Sequence, residues 1–336
     1  MRVMQVGVGG MGNAWTPILS AHTEIEIAGM VDVNPEVLAE KAEQYGVLPE
    51  NCFTNFDEAL AKADCEAVVL VTPPAFHAPQ AIAAAKAGKH VLTEKPLSDT
   101  LEDAKAMVDA CEQADVMLMV SQNYRRSPEA MTLRSALMND VIGPMNELGH
   151  VSVEFFKAVN FGADNFRTLM QYPLLLDMGI HHVDLLRYVT GADVVSVYAR
   201  SFLPSWSWYK HDPGLSMTFE MSNGAIGNYI GSWCSGGQET PWGGSWRLQG
   251  PKGAMLWNEQ GIAFAENGTD ELQPIPTLEY PVNGIALVVD EFIRAYKNGR
   301  QPQTNGRDNL KSIGIQFAAL ESIRRNAPVA LAELGV

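Results

Sequence analysis

Residues 2–12 read Arg-Val-Met-Gln-Val-Gly-Val-Gly-Gly-Met-Gly. An apolar, β-branched run at 3–8 enters a Gly7-Val8-Gly9-Gly10-Met11-Gly12 loop, and a helix-favouring stretch follows. In a strand–turn–helix context each glycine has a separate task. Gly7 permits the tight turn, Gly9 lets backbone approach a pyrophosphate, and Gly12 lets the helix pack close to the strand. The helix start at Gly10-Met11-Gly12 then offers unpaired N–H groups and a positive dipole end to phosphates. Taken by itself such a glycine pattern is also compatible with an ordinary turn. Its position between a strand and a helix favours a dinucleotide site.

Working outward, further apolar runs at 25–31, 67–71, 90–92 and 116–120 alternate with helix-favouring stretches at 35–45, 56–63, 78–87 and 101–114. Continuous apolar strands separated by helices predict an α/β domain, a doubly wound parallel sheet covered on both faces, over 1–121. Asp32 stands 20 residues beyond Gly12, at the end of the second run. A carboxylate there accepts hydrogen bonds from an adenosine ribose and repels a 2′-phosphate, so the reading favours NAD over NADP. The alternative is a helix cap, which Asn34 ahead of Pro35 can supply without it.

Beyond residue 121 the rhythm changes. A helical segment at 128–138 leads to an alternating stretch at 146–156, and a long helix opens near Pro173 and stops before Gly191. Ser222-Asn223-Gly224 and Pro251-Lys252-Gly253 each separate two strand-like runs, which predicts hairpins. Helical patterns at 284–297 and 308–325 close the chain. These features predict a second, α+β domain over 122–336 whose sheet is mostly antiparallel.

Composition narrows the field. The 336 residues are 46% hydrophobic and 19% charged, enough apolar content for large cores. A net charge of −15 repels phosphate backbones and anionic lipid heads, so no nucleic acid and no membrane surface is expected as partner. Cys52, Cys65, Cys111 and Cys234 are widely spaced, which suits reduced thiols in a cytoplasmic protein rather than a disulfide frame or a metal site. No run reaches the length of a membrane span, and no signal peptide precedes the first strand.

Two more loops fall at the ligand edge of the predicted parallel sheet. Thr72-Pro73-Pro74 and His77 follow the strand at 67–71, and Glu94-Lys95-Pro96 follows that at 90–92. His77 reads equally as a helix-start residue, and Glu-Lys-Pro taken alone as a solvated loop. In the long helix, Asp177, His181 and Asp184 share one stripe at about 100° per residue, whereas His182 points away. A carboxylate one turn from an imidazole can orient it for proton transfer.

The glycine loop, Thr-Pro-Pro with His77, Glu94-Lys95-Pro96 and the Asp177–His181 helix together resemble the glucose–fructose oxidoreductase/inositol dehydrogenase/MocA (Gfo/Idh/MocA) family, in order and over nearly the whole chain. The resemblance implies an N-terminal Rossmann domain, a C-terminal domain with a large open sheet that forms homodimers or homotetramers, and hydride transfer between NAD(P) and a hydroxyl-bearing carbon of a sugar, polyol or cyclitol. Lys95 matches the family's catalytic lysine, His181 its proton-transferring histidine and Asp177 the accompanying aspartate. The implied cofactor contacts are Gly7, Gly9, Gly10, Met11, Gly12, Asp32, Thr72, Pro73, His77, Glu94 and Lys95. Tyr124 and Arg125 fall where relatives line the substrate cleft, beside Lys95, Asp177 and His181. A cis bond before Pro96 is implied as well. Tyr172-Pro173-Leu174 stands where many relatives carry a glycine pair. Two rival functions share this fold: a dinucleotide-sensing regulator, and a lyase or hydrolase that uses bound NAD transiently. A regulator has no need of Lys95, Asp177 and His181 together. Trp233, Trp246 and Trp257 read as sheet packing, and the loop at 206–210 as a substrate wall.

Overall fold

The computed structural model describes residues 1–282 and 284–336. They form two compact units, Met1–Asn123 with Val282–Leu310, and Tyr124–Pro281 with Lys311–Val336.

The first unit is built on six parallel strands: β1 (Arg2–Val6), β2 (Glu26–Val31), β3 (Cys52–Phe53), β4 (Ala67–Leu70), β5 (His90–Thr93) and β6 (Leu118–Val120). Their order, β3-β2-β1-β4-β5-β6, is that of a doubly wound dinucleotide-binding sheet. Ala67, Val68, Val69 and Leu70 are all buried, as strands covered on both faces require. The crossovers run through α1 (Gly12–Ala21), α2 (Pro35–Tyr45), α3 (Phe56–Lys62), α4 (His77–Lys86) and α5 (Leu101–Gln113). Several helices start where local chemistry dictates. Asn34 accepts from the Glu36 and Val37 N–H groups, Asn55 from Glu58 and Thr100 from Asp103.

In the second unit, α6 (Pro128–Met138), the short α7 (Phe166–Leu169) and α8 (Gly179–Thr190) accompany a nine-stranded sheet. Its strands are β7 (His150–Phe156), β8 (Val194–Phe202), β9 (Gly214–Met221), β10 (Ile226–Ser232), β11 (Ser245–Gly250), β12 (Gly253–Asn258), β13 (Gly261–Glu266), β14 (Gln273–Ile275) and β15 (Val329–Ala330). The order is β14-β13-β12-β11-β7-β10-β9-β8-β15, and only β7 and β10 run parallel. Both expected hairpins form, β9–β10 and β11–β12, the first with Gly224 at φ +85°. Trp246 and Trp257 face each other across β11–β12 with stacked rings, and these two and Trp233 are buried, as the packing reading requires. Strands β3, β8, β13, β14 and β15 had no separate signal in the sequence reading.

Two expectations are corrected. The second domain does not run unbroken from 122 to the end, because α9 (Ile285–Lys297) belongs to the first unit. Its stripe of Val288, Val289, Phe292 and Ala295 packs with Val3, Trp15, Leu19 and Met119 in one core cluster. An amphipathic stripe encodes that a helix must be covered, not which sheet covers it. The last long helix, α10 (Gly306–Arg325), follows. The second correction concerns the helix opening at Pro173. Its first five residues, Leu174–Met178, form a π turn, and α-geometry starts only at Gly179. Among the described residues no helix is long and apolar enough to cross a membrane.

Candidate active site

The glycine loop is held by backbone contacts that leave one side open. Gly7 adopts φ +89°, and a Cβ there would stand 2.7 Å from the Val71 carbonyl oxygen. A Cβ on Gly12 would stand 2.6 Å from the Gly7 carbonyl oxygen, so the protein's own packing demands glycine at both positions. Gly9 differs: a Cβ there meets nothing closer than Val37 at 3.7 Å and Asp32 at 3.8 Å. The folded chain has room for a side chain at Gly9, and that space is what a phosphate group would fill. The first turn of α1 carries no acidic side chain and no side-chain cap, and Met11 beside it is exposed. Its N–H groups therefore suit a pyrophosphate. Asp32 ties the loop from below. Its Oδ2 accepts from the Val8 N–H at 2.9 Å and the Gly9 N–H at 3.2 Å, and its Oδ1 from Asn34. Oδ1, with a single bond, keeps further acceptor capacity for a ribose hydroxyl.

The next two edge loops are clamped together. His77 is fully buried, with Nε2 2.8 Å from the Thr72 carbonyl oxygen and Nδ1 3.0 Å from that of Pro96. Burial pushes its pKa down against the pull of those carbonyls. With no accessible surface, His77 cannot touch a cofactor, and its assignment as a contact is corrected. It is a brace between the loop holding Thr72 and Pro73 and the loop holding Glu94 and Lys95. The Lys95–Pro96 bond is cis. Glu94 is buried too: Oε1 accepts from the Trp15 indole N–H at 2.6 Å and Oε2 from the Lys95 N–H at 2.9 Å. Glu94 therefore sets the backbone that presents Lys95.

In the second unit the π turn decides which groups meet. The Gly179 N–H reaches back five residues to the Leu174 carbonyl, and a Cβ at 179 would press on that oxygen at 3.0 Å. The turn strands carbonyls that an α-helix would pair. The buried Gln316 side chain donates to the Leu175 carbonyl at 2.5 Å. The turn also shifts Asp177 off the angle expected of an unbroken α-helix. Its Oδ2 accepts from Arg167 Nε at 2.5 Å. His181, nearly buried, stacks on Tyr124 with ring centroids 4.1 Å apart and planes at 16°. Burial and the charge of Asp177 together push the Tyr124 hydroxyl up to about 12. Tyr124, Asp177, Arg167 and His181 are thus one cluster. Arg167 and Gln316 escaped the sequence reading because nothing in their spacing ties them to Asp177.

Two neighbours are structural. Arg125, expected at the substrate, is buried and forks onto Asp184, Nε to Oδ2 at 2.5 Å and Nη2 to Oδ1 at 2.7 Å. Ser312 adds a third hydrogen bond to that carboxylate at 2.7 Å. A bidentate pair so enclosed is already committed, which corrects the assignment of Arg125. His182 is buried between the Tyr229 hydroxyl and the Trp242 carbonyl, each 3.0 Å away. The carbonyl can only accept, so Nε2 carries the proton and Nδ1 accepts from Tyr229. Burial drives its pKa down to about 4, leaving a neutral core ring. Of the loop at 206–210, Trp206 is exposed while Tyr209 is buried, donating from its hydroxyl to Val159.

Residues 1–122 match the model of an oxidoreductase family with an NAD-binding Rossmann fold, and residues 131–256 that of the GFO/IDH/MocA C-terminal domain. The D-apiose dehydrogenase of Paraburkholderia graminis is 29% identical, over 96% of this chain and 86% of its own. The myo-inositol 2-dehydrogenase of Thermotoga maritima is 27% identical over 99% of both chains. An oxidoreductase from Agrobacterium radiobacter, solved with NAD+, L-tartaric acid and magnesium, superimposes with a TM-score of 0.85 at 21% identity over 99% of both chains. The chain belongs to the Gfo/Idh/MocA oxidoreductase family.

Proposed function

We propose that the protein is an NAD-dependent dehydrogenase that oxidises a hydroxyl-bearing carbon of a sugar, polyol or cyclitol. The observation that carries the cofactor reading is the opening over Gly9 at an uncapped helix start, in a chain of a nicotinamide-dependent family. The substrate class is supported by the sugar and cyclitol dehydrogenases among the relatives. Preference for NAD rests on the carboxylate of Asp32.

Gly7 to Gly12 would hold the pyrophosphate, Asp32 the adenosine ribose, and Thr72 with Pro73 the edge beside it. When bound, the nicotinamide supplies the hydride acceptor. The chain's own residues handle the proton and its charge. His181 takes the hydroxyl proton on its imidazole, with Tyr124 fixing the ring plane by stacking. Lys95, presented on the backbone that Glu94 and His77 hold, stabilises the developing alkoxide with its ammonium group. Asp177 stabilises the positive charge that His181 gains. General acid–base assistance of this kind contributes about 10²–10⁴-fold.

The test is a panel of sugars, polyols, cyclitols and the corresponding sugar acids screened for NAD+ reduction by the absorbance of the reduced nicotinamide. At least one is expected to turn over, and Lys95→Met is expected to abolish that turnover while NAD affinity stays within about tenfold. Tight NAD binding with no turnover of any panel member sinks the reading.

A further inference from the structure

Arg167 carries more than the proposed reaction asks of it. One edge of its guanidinium is tied down, Nε donating to Asp177 at 2.5 Å. Aromatic rings flank it: Cζ lies 4.5 Å from the Phe166 ring centroid and 5.1 Å from that of Phe161. Among the described residues no acceptor takes a hydrogen from Nη1 or Nη2, and the side chain is 29% exposed. A cation held on one edge and against two rings has lost the freedom that usually makes a surface arginine a poor binding element. What it still offers is the Nη1–Nη2 edge, two parallel N–H donors whose spacing fits the two oxygens of a carboxylate.

The location gives that edge a purpose. Burial and, after it, the charge of Asp177 raise the Tyr124 pKa, and Tyr124 is stacked on His181. Arg167 is therefore linked to the proton-transferring ring through Asp177 and Tyr124. The surrounding contacts are local: Asn165 caps α7, its Oδ1 accepting from the Arg167 N–H, and Thr168 Oγ1 donates to the Gly162 carbonyl. These bonds fix the backbone under Arg167 and leave its outer edge alone. A neutral polyol could offer that fork two neighbouring hydroxyl oxygens, but only as uncharged acceptors, whose hydrogen bonds are roughly half as strong. A carboxylate would neutralise a half-buried cation and accept two charge-assisted hydrogen bonds at once.

We propose that the substrate is a sugar acid or related polyhydroxy acid, with Arg167 as the specificity residue that reads its carboxylate through Nη1 and Nη2. The proposal rests on the dehydrogenase reading above and narrows its substrate. Oxidation itself is unchanged: the carbinol C–H bond breaks with its electron pair going to NAD+, the O–H proton goes to His181, and the carboxylate takes no part in bond making.

The experiment compares each acid with its neutral parent, for example a hexonic acid with the corresponding alditol, in the intact protein with saturating NAD+. The acid is expected to have at least tenfold higher kcat/KM, mostly through KM. Arg167→Met is expected to reduce the acid-to-neutral preference by about 10- to 100-fold, the value of one charge-assisted hydrogen bond, because solvent screens part of the fork. Arg167→Lys should recover only part of it, because an ammonium is a point charge without a fork. Taking the ratio cancels whatever Asp177 loses when its partner is removed. Calorimetric binding of the acid to the NADH-loaded protein, weakened in Arg167→Met, gives a readout that needs no turnover. A neutral parent that performs as well as its acid overturns the proposal while leaving the dehydrogenase reading intact. So does an unchanged ratio in Arg167→Met, which would make Arg167 a partner of Asp177 only. Acid binding to the NADH complex without turnover of any compound would instead sink the dehydrogenase reading.

Discussion

The glycine loop of the first unit and the π turn of the second each place chemistry at the end of a regular element, and they do so by opposite routes. In the loop, geometry is set by glycines against the backbone of the loop itself and of the adjoining sheet edge. Gly7 is forced by a positive φ and by Val71, Gly12 by the Gly7 carbonyl, and Gly9 stays open. In the turn, geometry is held from outside. Gln316, 141 residues beyond Leu175 in sequence, pairs the carbonyl that the bulge releases, and Arg167 arrives from a separate short helix to meet Asp177. Local sites of the first kind tolerate distant change. Sites of the second kind depend on it.

The comparison is sharpest at two adjacent histidines, where the largest effects are expected. His181→Asn should lower kcat/KM by about 10²-fold or more and erase its rise with pH, because only a neutral imidazole accepts the substrate proton. His182→Asn should leave that rise in place and change stability instead. Above pH 6.5 the His182 ring is neutral folded or unfolded. Below it the unfolded chain takes up a proton that the folded ring refuses until about pH 4. The unfolded state then binds more protons, so this contribution to stability is present above 6.5 and is lost as pH falls towards 4, by about 3 kcal/mol in all. Urea unfolding across that window should show a shallower acid loss in His182→Asn than in the parent or in His181→Asn. A rate limb lost in His182→Asn, or kept in His181→Asn, would reverse the roles of the two rings.

A smaller effect probes the outside support of the turn. Gln316→Leu keeps the approximate volume but leaves the Leu175 carbonyl without its donor, which should cost about 1–3 kcal/mol. The urea midpoint should fall with its slope unchanged. A loss under about 0.5 kcal/mol would mean that the turn pairs its own carbonyls and that the contrast with the glycine loop is overdrawn.

These two regions also explain what the sequence discloses. Strand–helix alternation, the cap at Asn34 and the two hairpins are short-range chemistry, and all are legible residue by residue. The stripe of Asp177, His181 and Asp184 was legible as a stripe, but its members have different partners. Asp184 is enclosed by Arg125 and Ser312, and Asp177 is held by Arg167. A period of 3.6 reports which residues share a face and nothing about what arrives to meet them. Nor does it show a π turn, which inserts no unusual residue type. The return of α9 to the first unit was hidden for the same reason, since Val288, Val289 and Phe292 would suit either core.

The smallest effect tests the loop itself, at the residue where local support and ligand recognition coincide. Asp32 accepts from Val8 and Gly9, so removing its side chain should loosen the loop and weaken NAD and NADP alike. Only part of its role separates the two cofactors: the carboxylate accepts from a ribose hydroxyl in NAD and opposes a 2′-phosphate in NADP. Asp32→Asn isolates that part. Its amide oxygen can still accept from the Val8 and Gly9 N–H groups, while the negative charge and the acceptor for the Asn34 N–H are gone. The parent is expected to bind NADH more tightly than NADPH. In Asp32→Asn the ratio of the two dissociation constants should shift towards NADPH by about tenfold, or 1.4 kcal/mol, with NADH affinity itself falling only modestly. Asp32→Ala should show the same shift in ratio on top of a common loss for both cofactors. Fluorescence titration of the bound reduced nicotinamide measures all of these constants. Equal constants in the parent would show that Asp32 serves the loop alone, and a common loss without any shift in ratio would show the same.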